Sequence, residues 1–588
     1  MAEIEQALTH QKAGRLREAE ETYRQILAQE PGHVEALHWL GVVALQRGQY
    51  QAAIELIGKA LERKPEYVAA HNNIGLAWQG IGELEHAGAA FRQALLLAPE
   101  DVDIELNLVT VLFEQSKLSE AAAICQQAIA QSPNVALAHS NLGAVRLAQA
   151  QHEAAIASLQ KAVALEPHDH AHSNVIQAMH YHPNLNAAAL FAEARRWHEQ
   201  YAAPLRTAWV PHDNPRDPER RLRLGYVSAD LRRHPVGWFM EPVMAHHDRT
   251  LFEIFCYASV PRPDRVTDQF RSAADHWCDA LSLSDTALAE KVREDRIDIL
   301  VDLSGHTRGH RLLSLARKPA PVQVTAGGHY STTGLEAIDY LIADRFHAPE
   351  GVERYFSETL IRMPHDYICY GPPVYAPAVA ALPALRHGYV TFGCYNNLAK
   401  INERVVALWS EILKTLPGAR LRLQTRQLND PPTRAHVREL FAARGIGVEQ
   451  LEFHGHLPHE QLLAAYAEID IALDPFPYSG GLTTLEALWM GVPVITLTGQ
   501  TFCGRHSTSH LNNVGLSELV TTTPEDYVRV AVALAQDIEH LRTLRATLRE
   551  QMAASPLSDT KGYTQDLEAA YREIWRKYCE ASSKSRVK

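Results

Sequence analysis

The sequence predicts an all-α repeat solenoid followed by two α/β domains of the doubly wound kind. Three features support this prediction. The first third of the chain repeats with a period of 34 residues, the chain then alternates short apolar runs with helical stretches, and this alternation starts again after Gly388. The 588 residues are 46% hydrophobic and 21% charged, which are globular values. A chain of this length is expected to form several domains.

The repeat is marked by five prolines that follow one another at steps of 34 residues, and an alanine lies 12 residues before each of them. A proline cannot continue a helix, and small residues let two antiparallel helices pack closely. The pattern resembles the tetratricopeptide repeat, whose units stack into a solenoid with a concave face. The two columns are Pro31, Pro65, Pro99, Pro133, Pro167 and Ala19, Ala53, Ala87, Ala121, Ala155.

Asparagines add a polar column to the repeat. Asn73, Asn107 and Asn141 keep the 34-residue spacing, and Asn72 precedes the first of them. Asparagine is a poor helix former, and its amide can both donate to and accept from a peptide backbone. Two interpretations remain open: contact with a protein or peptide segment held along the repeat groove, and a role in helix packing.

Charge and cysteine content exclude several classes of protein. The formal net charge of −12 argues against a broad nucleic-acid surface. The seven cysteines form no CxxC pair, so neither a zinc ribbon nor a disulfide framework is indicated. The first residues are too charged for a signal-peptide core, and no apolar run reaches the length of a membrane span. We therefore expect a cytoplasmic protein with no membrane or nucleic-acid partner.

A histidine-rich stretch follows the last repeat. His168, His170, His172, His180 and His182 lie close together in sequence, which raises the possibility of a metal site. Their spacing matches no familiar zinc motif and no cysteine is near, so a polar surface that caps the repeats is the favoured interpretation. Helical periodicity continues to residue 201, and a proline-rich, charged linker is predicted for residues 210–221.

The rest of the chain alternates strands and helices, which predicts parallel sheets covered by helices. Ligands bind at the carboxyl ends of the strands in such sheets. The predicted strands begin with "LRLGYVSAD", "FEIFCYAS", "IDILVDLSG", "PVQVTAGG" and "DYLIAD" in the first half, and with "YVTFGCYNN", "ARLRLQTR", "LEFHGHL", "IDIALDPFP" and "VPVITLTG" in the second. The predicted regions are 1–169 (repeats), 170–220 (helical cap and linker), 221–375 and 376–555 (the two α/β halves) and 556–588 (helical tail).

The stretch "SGGLTTLEALWMG" combines a glycine loop with a helix start. Gly480 and Gly481 allow a ligand to approach the backbone, and the open amides at a helix N-terminus bind anions. Thr483 and Thr484 add hydroxyls that can hold a pyrophosphate. Glu486 is placed in the first helical turn, where it can accept hydrogen bonds from a ribose or act as a capping-box acid. The chain has no P-loop motif.

This stretch resembles the donor-binding segment of nucleotide-sugar glycosyltransferases of the GT-B fold, which has two Rossmann-like halves. With the repeats in front, nearly the whole chain resembles the protein O-GlcNAc transferase family. "LRLGYVSADLRRHPVGWFM" is similar to the family segment with a His-Pro pair, here His234-Pro235, and "TFGCYNNLAKINERVV" to the segment that carries a phosphate-contacting lysine, here Lys400. The fold class implied is an all-α tetratricopeptide solenoid followed by a GT-B fold of two doubly wound α/β domains.

The resemblance implies an inverting, metal-independent enzyme that moves N-acetylglucosamine from UDP-GlcNAc to Ser or Thr of proteins. His234 and Lys400 are expected to be catalytic. The expected substrate-binding residues are Asp302, His306, Gly328 and His329. The expected nucleotide-binding residues are Asn397, Lys400, His459, Gly480, Gly481, Thr483, Thr484 and Glu486.

The chain departs from the family's vertebrate members at two of these positions. They carry a histidine where this chain has Gly481, and a lysine where His459 aligns. Two alternatives therefore stay open beside transfer of GlcNAc: a related transferase that uses GDP-fucose or UDP-glucose, and a peptide-binding scaffold whose transferase domain is degenerate. The one Asp-x-Asp, at Asp101 and Asp103, lies in the repeats and is interpreted as a helix start.

Overall fold

The computed structural model describes residues 2–584, which form two compact units. One unit contains the chain through Arg146 together with Ala164–Glu166, and the other contains Leu147–Val163 and the chain from Pro167 onward.

Consecutive helices make up the repeat region, two to each repeat. Their bounds are α1 Ala2–Lys12, α2 Leu16–Gln29, α3 Val34–Gln46, α4 Tyr50–Arg63, α5 Val68–Gly80, α6 Leu84–Leu97, α7 Val102–Glu114, α8 Leu118–Gln131, α9 Ala136–Ala148 and α10 His152–Leu165. Each repeat proline lies two residues beyond the end of a second helix, as at Pro65 after Arg63. The alanine column is fully buried. The all-α tetratricopeptide arrangement is confirmed.

The repeat asparagines lie on the first helices of their repeats, as predicted, and Asn72, Asn73 and Asn107 contact the neighbouring repeat. Asn107 Nδ2 donates to Asn72 Oδ1 at 2.9 Å, and Asn73 Nδ2 lies 2.9 Å from Nε2 of His38. Asp101 accepts from the backbone amide of Ile104 at 3.2 Å and so caps α7, which confirms that the Asp-x-Asp marks a helix start.

The first α/β half contains seven parallel strands in the order β3-β2-β1-β4-β5-β6-β7. The sequence predicted five of them. It missed β3 and β7, the two edge strands, which lack a continuous apolar run and whose residues, Met363 excepted, are exposed or half-buried. The bounds are β1 Leu222–Ser228, β2 Phe252–Ala258, β3 His276–Asp279, β4 Ile299–Asp302, β5 Val322–Thr325, β6 Tyr340–Asp344 and β7 Thr359–Met363.

The second α/β half repeats this topology with six parallel strands, in the order β10-β9-β8-β11-β12-β13. All but the two-residue edge strand β13 were predicted. In both sheets the order reverses beside the first strand, and this is where ligands bind in doubly wound folds. The bounds are β8 Thr391–Cys394, β9 Arg420–Gln424, β10 Leu451–His454, β11 Ile471–Leu473, β12 Val494–Leu497 and β13 Val520–Thr521. The GT-B architecture is confirmed.

Helices cover both sheets. They are α11 Asp169–Met179, α12 Ala187–Trp197, α13 Pro235–His246, α14 Arg265–Ala273, α15 Asp285–Glu294, α16 Leu312–Ala316, α17 Ala384–His387, α18 Glu403–Thr415, α19 Pro431–Ala442, α20 His459–Ala465, α21 Leu482–Trp489, α22 His506–Val514, α23 Pro524–Gln536, α24 Ile538–Ala553 and α25 Thr560–Lys584. The last of these returns to the first half, because Leu567, Tyr571 and Trp575 are buried in its core.

Two expectations need correction for the connecting segment, the part of the chain between the repeats and the first α/β half (residues 168–221). His172 and His180 are buried rather than part of a polar cap, since α11 packs on the α/β halves and Ser173 Oγ lies 2.9 Å from Nδ1 of His306. The predicted linker is extended but attached, because Asn214 Nδ2 donates to Asp298 Oδ1 at 2.7 Å. No described helix has the length and apolar character needed to cross a membrane.

Substitution of two helical glycines of the repeats by alanine should have opposite effects on stability. A Cβ on Gly75 would lie 2.7 Å from the Phe91 ring, whereas a Cβ on Gly58 would meet nothing within 4 Å. Gly75→Ala should destabilise its repeat by about 1–3 kcal/mol through overpacking. Gly58→Ala should stabilise its helix by up to about 1 kcal/mol. The midpoint of thermal unfolding of the full chain, measured by circular dichroism, should be lower than wild type for Gly75→Ala and higher for Gly58→Ala. A shift in the same direction for both variants would contradict this packing.

Candidate functional site

The glycine loop between β11 and α21 is held from beneath by buried polar groups. The amide of Gly480 donates to Asp474 Oδ1 at 2.6 Å. Ser479 Oγ donates to the carbonyl of Cys503 at 2.9 Å, and Ser507 Oγ donates to the carbonyl of Gly480 at 3.0 Å. These bonds fix the loop backbone, so that the amides at the start of α21 are presented in one arrangement.

Lys400 lies beside this loop, at the end of a short turn that follows β8. Its Nζ donates to the carbonyl of Ser479 at 2.8 Å and to Asn396 Oδ1 at 3.1 Å. The ammonium also lies 4.1 Å from the centre of the Tyr478 ring. Burial lowers the pKa of Lys400 to about 8, although Asp474 opposes that shift. Both hydrogen-bond acceptors are neutral, so the positive charge remains available to an anion.

The turn that carries Lys400 is anchored at both of its ends. Asn397 Oδ1 accepts from the amide of Ala399 at 3.0 Å and from Gln427 Nε2 at 2.8 Å, so this side chain caps the turn. Nε2 of His152 lies 2.6 Å from the carbonyl of Ala399. Asn396, which the sequence analysis did not select, is the asparagine that contacts Lys400.

The two threonines of the loop have different surroundings. Thr483 Oγ1 is half-buried and donates to Asn396 Oδ1 at 2.9 Å, beside Lys400. Thr484 is buried, and its hydroxyl lies 2.7 Å from that of Ser507. The prediction that both hydroxyls face a phosphate is therefore corrected: Thr484 supports the loop, and Thr483 lies at its open side.

Glu486 lies in the second turn of α21 rather than in the first, because the helix begins at Leu482. It is buried, and its Oε1 accepts from His459 Nε2 at 2.7 Å. The other ring nitrogen of His459 accepts from the Tyr375 hydroxyl at 2.7 Å. The indole of Trp238, from the first α/β half, stacks on the His459 ring with centroids 5.5 Å apart. Glu486 thus orients His459, and Gly481 is the residue that precedes the helix.

His234 lies at the end of the loop that follows β1 and caps α13. Its Nδ1 accepts weakly from the amide of Val236 at 3.4 Å and lies 3.7 Å from Asp230 Oδ2. Burial lowers the pKa of His234, and Asp230 opposes that shift. One turn later the same helix carries Trp238. The two halves therefore meet where Trp238 stacks on His459 of the second half.

The four predicted substrate-binding residues lie at or just after the ends of β4 and β5. Asp302 is fully buried, and its carboxylate accepts from the amides of Ser304 and Gly305 and from the Thr325 hydroxyl. His306 is buried with both nitrogens in use, since Nε2 lies 2.8 Å from the carbonyl of Thr333. The polar atoms of these two residues are engaged within the protein, where they hold the strand ends, and substrate contact stays a prediction for both.

Gly328 and His329 are the other two members of that group. Gly328 must be a glycine because a Cβ would lie 1.8 Å from the carbonyl oxygen of Leu303. This packing alone accounts for a glycine at position 328, so contact with a sugar is not needed to explain it. His329 is buried with Nε2 3.1 Å from the carbonyl of Thr332, and its Nδ1 has no partner among the described residues. It remains a prediction for substrate contact.

Aromatic residues from the connecting segment complete one wall beside Lys400. The Tyr181 ring lies 5.0 Å from that of Tyr478, and Nδ1 of His180 lies 3.6 Å from Sγ of Cys503. The Tyr330 ring lies 4.9 Å from that of Tyr478. Sequence reasoning missed these residues because no local pattern shows that the segment after the repeats folds against the glycine loop.

Comparison with protein families identifies both parts of the chain. The model of glycosyl transferase family 41 matches residues 167–371 and 381–567. A tetratricopeptide repeat model matches residues 4–68, 40–102, 81–136 and 106–170.

Individual relatives agree with these matches. A tomato protein (Solanum lycopersicum) named probable UDP-N-acetylglucosamine–peptide N-acetylglucosaminyltransferase SPINDLY is 37% identical over 70% of this chain and 44% of its own length. An Arabidopsis thaliana relative named SEC, with the same enzyme name, is 32% identical over 63% of this chain and 38% of its own. The chain thus spans less than half the length of these relatives. The solved structure of an O-GlcNAc transferase variant from Thermobaculum terrenum is 41% identical, with a TM-score of 0.83 over 88% of this chain and 98% of that one.

Proposed function

The chain belongs to glycosyl transferase family 41, and we propose that it is an inverting, metal-independent enzyme that transfers N-acetylglucosamine from UDP-GlcNAc to Ser or Thr hydroxyls of proteins. The names of its relatives support the donor and the acceptor class. The single observation that carries the proposal is the position of Lys400, an ammonium with only neutral hydrogen-bond acceptors beside a rigid glycine loop and a helix start.

Lys400 is proposed to bind the diphosphate of the donor. The leaving group gains negative charge as the bond from the anomeric carbon to the diphosphate oxygen breaks. A pre-organised ammonium and the open amides at the start of α21 stabilise that charge. Thr483 adds a hydroxyl at the same side of the loop. This set of protein groups supports a reaction in which no metal ion neutralises the diphosphate.

His459 is proposed to contact the nucleoside, with Glu486 and Tyr375 fixing its ring. The bond to Glu486 sets the proton on Nε2, and the Tyr375 hydroxyl donates to Nδ1. Trp238 covers one face of the ring. This revises the assignment of Glu486 from a direct ribose ligand to a residue that positions the histidine.

His234 is proposed to accept the proton of the acceptor hydroxyl. The hydroxyl oxygen bonds to the anomeric carbon from the face opposite the diphosphate, so the configuration inverts. UDP leaves with the electron pair of the broken bond. The lowered pKa of His234 keeps its ring neutral before the reaction, and Asp230 stabilises the imidazolium that results.

The repeats are proposed to hold the polypeptide acceptor. A tetratricopeptide solenoid has a concave surface, and the asparagine amides of the first helices supply donors and acceptors for an extended backbone. The assembled donor loop argues against a scaffold with a degenerate transferase domain. Asn72, Asn73, Asn107 and Asn141 are the proposed contacts.

Loss of Lys400 should abolish most transfer. Lys400→Ala removes the main counter-charge of the leaving diphosphate, so release of UDP from UDP-GlcNAc with a Ser/Thr peptide library should fall by about 10²-fold or more. Lys414→Ala, an exposed lysine on α18, is the matched control and should retain full rate. A Lys400→Ala variant that keeps its fold by circular dichroism and most of its rate would show that another group meets the charge.

The phosphate and nucleoside parts of the site should separate in binding measurements. Thr483→Val should weaken UDP more than uridine, because the hydroxyl lies beside Lys400 rather than beside His459. Glu486→Gln should weaken both ligands alike, by roughly 1–2 kcal/mol, since it acts through His459. Calorimetry with UDP and uridine measures this, with the exposed Thr547→Val as control. Equal losses of UDP and uridine in Thr483→Val would remove the loop from phosphate recognition.

A further inference from the structure

Part of the histidine-rich stretch meets another histidine, His310, that is distant in sequence. Helix α11 begins at Asp169, and the loop after β4 carries His310. One ligand atom each from Asp169, His170 and His310 lie within 4.8 Å of one another. The rings of His170 and His310 have centroids 4.1 Å apart, and the His168 ring lies 5.7 Å from that of His170.

The backbone on both sides of this group is already fixed. Trp197 Nε1 donates to the carbonyl of Asp169 at 2.8 Å, which holds the first turn of α11. His306, at the start of the loop that carries His310, bonds to Ser173 and to the carbonyl of Thr333. The ligand atoms therefore come together on two supported elements rather than on mobile side chains alone, which favours metal binding over a chance cluster.

His310 has a polar atom that the protein leaves unsatisfied. The residue is 2% exposed, and its Nε2 is buried with no hydrogen-bond partner among the described residues. Its Nδ1 lies 3.5 Å from the amide nitrogen of Leu312, the outer limit of a hydrogen bond, so this contact offers little resistance to a change of tautomer.

We propose that Asp169, His170 and His310 bind a divalent transition-metal ion of the zinc type, with His168 close enough to supply a fourth ligand. Two or three imidazoles and a carboxylate are a donor set that suits Zn²⁺ and its neighbours in the first transition row. They do not suit Mg²⁺, which prefers an all-oxygen environment. The ion satisfies Nε2 of His310 and places a positive charge beside Asp169.

A second acidic and histidine group, Asp344, His347 and Asp366, makes a useful contrast. Its ligand atoms are equally close, but Asp344 already accepts five hydrogen bonds. His347 uses both ring nitrogens, since Nε2 lies 2.9 Å from His506 Nδ1. The ligand atoms of Asp344 and His347 thus already have partners within the protein, whereas Nε2 of His310 has none among the described residues. The metal is therefore assigned to the group at α11.

An ion in this site would tie the first turn of α11 to the first α/β half. The same helix supplies Gln177, which accepts from the Tyr330 hydroxyl beside Tyr478. The ion would thus stabilise the attachment of α11 without touching the proposed reacting groups, and its removal should lower stability and leave the chemical step intact.

Zinc binding to untagged full-length protein tests the site. Protein stripped with EDTA and freed of chelator is titrated with Zn²⁺ against a chromophoric chelator. Wild type should bind one Zn²⁺ per chain at this site. His170→Ala, whose exposed side chain leaves the core unchanged, should bind it at least about 100-fold more weakly, beyond the 10–100-fold typical of a lost supporting contact. The control His436→Ala removes an exposed histidine of α19 and should match wild type.

Thermal unfolding supplies the second readout. Zn²⁺ should raise the unfolding midpoint of wild type and of His436→Ala, and should leave that of His170→Ala unchanged, because an ion that binds the folded state stabilises it. Mg²⁺ should give no shift. Release of UDP from UDP-GlcNAc at 25 °C should be the same with and without EDTA. Zinc affinity that is equal in wild type and His170→Ala, or no measurable zinc binding to wild type, would overturn the assignment.

Discussion

The buried carboxylate of Asp474 is the constraint on which the donor loop depends. It accepts from the amide of Gly480 at 2.6 Å and from the Thr496 hydroxyl at 2.7 Å, and burial raises its pKa. Its charge favours the ammonium form of Lys400, while the two hydrogen bonds of that ammonium go to neutral oxygens. A carboxylate in direct contact would neutralise the lysine, whereas one held beneath the loop keeps the lysine charged and available. Asp474 therefore both fixes the geometry of the loop and keeps Lys400 charged for the diphosphate.

The sequence predicted the fold well because the fold depends on local periodicity. The 34-residue columns, the apolar runs and the glycine loop each report on a few neighbouring residues, and tertiary packing did not override them. The strands that were missed, His276–Asp279, Thr359–Met363 and Val520–Thr521, are edge strands. An edge strand is stabilised by one neighbour, so it needs no continuous apolar pattern.

The candidate site was predicted less completely, because many of its contacts join distant segments. Lys400 and Thr483 were predicted from their own motifs, but Asn396, which bonds to both, carried no local signal. The environment also changed the role of several residues. Glu486 was expected to bind a ribose or to cap the helix, but it bonds to His459, and Asp302 accepts from the backbone amides of its own loop. Residue type alone does not distinguish a ligand-binding carboxylate from one that holds a turn.

The charge state of Lys400 gives the most direct test of this account. Its free pKa of about 8 means that binding a diphosphate above that pH requires uptake of a proton. The neighbouring thiols Cys503 and Cys394, with pKa values of about 11 and 12, do not titrate in this range. The pKa of Lys400 is lower in the folded state than in the unfolded chain, so its deprotonation at high pH favours the folded state. A loss of UDP affinity at high pH therefore cannot come from unfolding caused by the titration of Lys400.

The measurement is calorimetric titration of UDP and of uridine at pH 7 and pH 9. We predict that the ratio of UDP affinity to uridine affinity falls by about tenfold between these values, as the protonated fraction of a group with a pKa near 8 does. UDP affinity that is flat across this range, or a decline that uridine shares, would contradict the claim that the Lys400 ammonium recognises the diphosphate.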